Sequence, residues 1–153
     1  MKDYIVIMMP VLLFLFLILA SIFDLFNDKE VPISIGICGI LIRMIELFFF
    51  EKGNISYYLI MAVIVFLCFL TGAALGAIGG ADCIYASMIC FYIGEYGLYV
   101  IVLAFILTLP VALYIKKKNK AEKKNLEFPF SPYLLLSTSI ITLYLLIGGF
   151  FYC

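Results

Sequence analysis

Short polar interruptions divide this chain into successive apolar runs, several of which exceed the roughly 18 residues that suggest a bilayer crossing. No soluble globule can absorb such a pattern. A domain of about 150 residues still exposes roughly 30% of the surface that its unfolded chain exposes. Of the 153 residues 67% are hydrophobic and only 13% are charged, with a mean hydropathy of +1.23. The solvent for that surface is therefore lipid, where backbone polar groups must be satisfied within helices or closed barrels. The expectation is an all-α, polytopic membrane bundle of about six transmembrane helices, with residues 1–153 forming one membrane-embedded domain.

The runs can be placed one by one. The first, Tyr4 to Phe23, lacks the basic flank and the A-x-A cleavage site of a secretory signal, so it reads as a retained span. "DLFNDKEVP" (Asp24 to Pro32) precedes a second run that ends at Phe50, and "EKGNIS" precedes a third, Tyr57 to Ile78. After "GGAD" comes a fourth run of only 11 residues, Cys83 to Ile93, then "GEYG" and a fifth from Leu98 to Ile115. "KKKNKAEKKN" and "FPFSP" lead into the last. As a helix the fourth run covers about 16 Å. It either extends into "GEYG", lies as a half-span inside the bundle, or forms a short, tilted helix, the arrangement favoured here.

Orientation follows from the lysines. Six of the ten basic residues (Lys116, Lys117, Lys118, Lys120, Lys123 and Lys124) crowd the loop before the last span, which marks it as cytoplasmic. Counting back through six spans puts "DLFNDKEVP" and "GGAD" on that same side and both termini outside. Asp24 and Asp82 then sit at similar depth, at the ends of different helices.

That placement suggests chemistry. Two like charges a few ångströms apart cannot both ionise, so a carboxylate pair holds one proton between them. The ionised member can activate water as a general base while the protonated one donates to the carbonyl under attack. Peptide hydrolysis of this kind needs no cofactor and no metal, and none is expected. Gly72, Gly76 and Gly80 recur every four residues, which on a continuous third helix would form one small-residue face for close packing. The chain has no histidine, which excludes Ser-His and Cys-His catalysis. Its five cysteines, Cys38, Cys68, Cys83, Cys90 and Cys153, form no CxxC pair and read as small buried hydrophobes.

The sequence resembles the type IV prepilin peptidases, a family of GxGD aspartyl proteases, and within it the archaeal preflagellin and prepilin peptidases. "GGAD" is similar to the signature of that family, with Gly79, Gly80 and Ala81 supporting Asp82 and Ala81 standing where many members have glycine. "DLFNDKEVP" resembles its first aspartate motif, with Pro32 eight residues after Asp24, and "FPFSPYLL" looks like the stretch that opens its final helix. Ile84 occupies a position where many bacterial members carry lysine. The resemblance implies that Asp24 and Asp82 are catalytic. It further implies that the protein sits in the cytoplasmic membrane. There it would cut basic leaders from type IV pilin-like or archaeal flagellin precursors, at the cytoplasmic face. Partners would be those precursors and membrane lipids, with no nucleic acid. A methyltransferase or cysteine-rich N-terminal region is not expected.

Other charged groups carry alternative readings. Asp28, four residues on and on the same face if the helix continues, is the rival to Asp24. Asp24 directly adjoins the apolar run, so Asp28 and Glu30 would instead form a solvated acidic rim facing the basic residues of a substrate leader. Arg43 and Glu46, three residues apart within the second span, can pair on one helix face inside the bundle, or else reach substrate or the aspartates. Glu95 falls on the far side. The lysine-rich loop doubles as an attraction for anionic headgroups, and Tyr57, Tyr58, Tyr92, Tyr96 and Tyr99 lie near span ends as interfacial anchors. The competing function is a small proton- or ion-coupled transporter with the two aspartates as carriers, although transporter carboxylates usually lie near the bilayer midplane. A presenilin-type intramembrane protease typically needs more spans and a deeper first aspartate.

Overall fold

A computed structural model describes residues 2–26, 32–49, 55–75, 79–118 and 129–147, with side chains from residue 10 onward and excluding those of 115–118. They form six α-helices: α1 (Lys2–Phe26), α2 (Ile33–Phe49), α3 (Ile55–Ala74), α4 (Gly80–Ile93), α5 (Tyr96–Lys118) and α6 (Ser131–Ile147). No strand occurs among the described residues. Two of the helices, over Ile55–Ala74 and Tyr96–Tyr114, are by themselves long and apolar enough to cross a membrane. Pro10–Phe26 of α1, α4 and α6 are shorter apolar stretches, and the exposed surface carries Leu, Ile, Val and Phe along α1, α2, α3, α5 and α6. That pattern is the exterior of a bundle solvated by lipid.

The short fourth run is the axis of the bundle. Every residue from Tyr85 to Tyr92 is buried, as is Cys83, and α4 touches each of the other five helices. A helix apolar all round belongs in the interior, and at 14 residues it rises only about 21 Å. The extra turn relative to the expected Cys83–Ile93 comes at the N-terminal end, through Gly80, Ala81 and Asp82. At the other end Gly94 and Glu95 turn the chain into α5, so "GEYG" does not prolong α4.

The expected third span is shorter than Tyr57–Ile78. Helix α3 ends at Ala74, whereas Gly80 is the first residue of α4. Gly72 and Gly80 thus belong to different helices and share no face, which overturns the glycine repeat as a packing motif (Gly76 lies outside the described residues). Each glycine weakens a helix by about 1 kcal/mol relative to alanine, and a cluster of them before an aspartate ends one helix and opens the next. The close small-residue contact lies on α2 instead. A Cβ on Gly36 would stand 2.7 Å from Ile84 Cγ2, and one on Gly39 would collide with Met88 Sδ. These two glycines let α2 press onto α4.

The cysteines divide. Cys83 and Cys90 are buried as expected, but Cys38 and Cys68 are exposed, because in a membrane bundle an apolar side chain is equally at home facing outward. Cys153 lies outside the described residues.

Candidate active site

Asp24 sits in the last turn of α1, and α1 extends beyond the expected Phe23 to carry it. Only 5% of its surface is exposed. Its carboxylate Oδ2 accepts a hydrogen bond of 2.9 Å from the main-chain N–H of Ser131, the first residue of α6. A helix begins with amides that have no intrahelical acceptor, and Asp24 supplies one from another helix. Serine rather than aspartate therefore opens α6, while the acid that caps it comes from 107 residues earlier in the chain.

Asp82 lies in the first turn of α4. Its N–H donates to the Gly79 carbonyl at 3.1 Å, and its carboxylate folds back to accept from the Gly79 amide. This is the acidic half of a capping box, needed because the N-cap residue, Gly79, has no side chain of its own to offer. Gly79 has an ordinary extended backbone, so its lack of a side chain matters for space: a Cβ there would be 3.0 Å from Asp82 Oδ2. Gly80 differs, since a Cβ on it meets nothing within 4 Å.

The two carboxylates come from separate helices and lie close enough for the Asp24 charge to act on Asp82. The side chain of Tyr85, one turn along α4, feels both. Its hydroxyl donates to the Pro32 carbonyl at 2.9 Å, which ties the start of α2 to the same end of the bundle. Cys83 is beside Asp82, with its thiol directed at the Gly79 carbonyl, 3.7 Å away.

Arg43 and Glu46 do form a pair, at 3.6 Å, with Arg43 1% exposed. The guanidinium also lies 5.6 Å from the ring centres of both Tyr58 and Tyr92, so it joins α2, α3 and α4. Tyr92 is ten residues beyond Asp82, about 15 Å along α4; the cluster therefore occupies the other end of the central helix. Glu95 is exposed at that far end, in the turn before α5. Asp28, Glu30 and the lysines from 120 onward lie outside the described residues, and α1 ends two residues before Asp28.

Sequence reasoning singled out both aspartates but neither Ser131 nor Tyr85. "FPFSPYLL" contains the first, but it stood out only for its resemblance to the stretch that opens the final helix of the family. Nothing in the local sequence around Tyr85 marks its contact with Pro32.

A bundle of apolar helices thus carries two neighbouring carboxylates at one end. The sequence pattern of the type IV leader peptidase family matches residues 11–113, more than half of the chain and a stretch containing Asp24 and Asp82. The chain belongs to that family and is a peptidase. Neither a curated protein nor a solved structure matches it. Membership favours a peptidase over a transporter.

Proposed function

We propose that this chain is an aspartic-type endopeptidase of the cytoplasmic membrane that removes basic leaders from type IV pilin-like or archaeal flagellin precursors, with Asp24 and Asp82 as its catalytic residues. The observation that carries this reading is the approach of these two carboxylates from α1 and α4 at one end of the bundle. The pair holds one proton. The ionised carboxylate takes a proton from water as the water oxygen attacks the scissile carbonyl carbon, and the protonated one gives its proton to the carbonyl oxygen. Collapse of the tetrahedral intermediate breaks the C–N bond. The amine leaves with the proton taken from water, and the carbonyl oxygen returns its proton to the pair. One water is consumed and the site is restored.

The six lysines from Lys116 to Lys124, in the last turn of α5 and the sequence that follows it, support placing this end at the cytoplasmic face. A precursor would lie with its apolar helix in the bilayer and its cut site at the membrane surface, where irregular backbone is tolerable if it lines a cavity. Its basic leader would face Asp28 and Glu30, where exposed pairs contribute roughly 0–1 kcal/mol each. Residues 1–153 act as one domain in this reading.

The test is to incubate reconstituted protein with a synthetic precursor bearing a basic leader ahead of an apolar helix, and to identify the products by mass spectrometry. A single cut between leader and helix supports the proposal. An intact precursor with folded, correctly inserted protein, or a cut elsewhere, contradicts it.

A further inference from the structure

We infer that Ser131, at the head of α6, is a positioning residue of the site, holding Asp24 through its amide and keeping its hydroxyl as a second donor for the same carboxylate. The inference rests on the catalytic reading of Asp24.

The amide bond to Asp24 Oδ2 is the first observation. Helix-terminal amides carry partial positive charge, so the start of α6 favours a negative carboxylate there. Among the described residues, α6 itself has no charged side chain, and α2 has none before Arg43. Asp82 is one charged neighbour that the structure places on Asp24.

The second observation is independent. Ser131 is fully buried, and its Oγ has no hydrogen-bond partner among the described residues. An unmade hydrogen bond in an apolar interior is destabilising, and the other hydroxyls of α6 avoid it. Ser137, Thr138, Ser139 and Thr142 each donate to a carbonyl four residues earlier on the same helix. Ser131 begins the helix, so that outlet is closed to it. Covalent geometry keeps a serine Oγ within about 4 Å of its own nitrogen, and this nitrogen is bonded to Asp24. Rotation about χ1 swings the hydroxyl around the amide that already holds Asp24, and in this inference it turns to the carboxylate when substrate and water enter. A purely structural serine at this position would be better replaced by alanine.

The experiment compares Ser131→Ala, Ser131→Thr and Ser131→Pro in vesicles, using the synthetic precursor described above and reading kcat, KM and the thermal midpoint. Ser131→Ala should lower kcat by about 10-fold, the scale of one hydrogen bond to a charged group, with KM unchanged and the midpoint equal or higher. Ser131→Thr, which keeps the hydroxyl, should recover most of the rate. Ser131→Pro deletes the amide donor at a position where a helix tolerates proline, and should lose about 100-fold or more. A wild-type kcat in Ser131→Ala, or a loss matched by a lower midpoint and not rescued by threonine, overturns the inference. Asp24→Asn measured alongside separates the two levels. If it is inactive while Ser131→Ala is fully active, only the role of Ser131 fails. If Asp24→Asn is itself active, the catalytic reading fails.

Discussion

Tyr85 Oη donates to the carbonyl of Pro32 at 2.9 Å, three residues along α4 from Asp82. The bond clamps the N-terminus of α2 to the helix that carries one carboxylate, and Tyr85 is close enough to sense the charges of both aspartates. Replacing Tyr85 by Phe keeps the ring in its buried place and deletes the donor. The Pro32 carbonyl retains its contact from the Ile35 N–H, so the loss should be modest. We expect cleavage to fall by about 5- to 30-fold, the range set by one or two kcal/mol, with membrane insertion intact.

Gly79 and Gly80 are neighbours in one motif but meet different surroundings. Alanine at Gly79 places a methyl 3.0 Å from the Asp82 carboxylate, which must shift by a few tenths of an ångström and so weakens its contact with the Gly79 amide. Alanine at Gly80 enters open space and favours the helix by about 1 kcal/mol. Cleavage assays on the two variants should therefore show a greater loss for Gly79→Ala than for Gly80→Ala. The reverse order would contradict the capping role of Asp82.

The packing of α2 on α4 can be tested by a double-mutant cycle. Gly36→Ala directs its methyl at Ile84 Cγ2, and overpacking of this kind costs roughly 1–3 kcal/mol. Ile84→Ala removes the obstructing atom. The thermal midpoint of the double variant should lie above the sum of the two single effects, a coupling expected of residues in contact.

Arg43 is a cation held inside a helical bundle by Glu46 and two tyrosine rings. Its removal leaves the Glu46 carboxylate without its ion pair in a mostly buried position, a change that costs about 3–5 kcal/mol when the pair is fully buried. Arg43→Met should lower the thermal midpoint sharply, and Arg43→Met with Glu46→Gln should recover part of it. Because this cluster lies about 15 Å along α4 from Asp82, the folded fraction should still cleave precursor.

Much of the helical layout is legible in the sequence. Apolar runs separated by "DLFNDKEVP", "EKGNIS", "GGAD" and "GEYG" mark the helices, since lipid restricts the backbone to helices or closed barrels and long continuous apolar runs fit the helix. The two aspartates stood out because carboxylates are expensive beside hydrocarbon. What escaped depends on which helices touch. Spacing of Gly72, Gly76 and Gly80 defines a face only on an unbroken helix, and the glycines themselves break it. Gly36 and Gly39 have the same composition signal, yet their role required knowing that α4 lies opposite. Ser131 and Tyr85 reach partners 107 and 53 residues away, a separation that no local pattern encodes.

The central claim, that Asp24 and Asp82 act as one catalytic unit, is tested most directly by single-turnover cleavage with Asp24→Asn, Asp82→Asn and the double variant, all in vesicles. Asparagine preserves shape and removes the shared proton. Groups that act together lose together. Each single variant should therefore be slower by at least about 1,000-fold, and the double variant should be no slower than either. Near wild-type cleavage by one of the single variants, or single losses that multiply in the double, would contradict the claim.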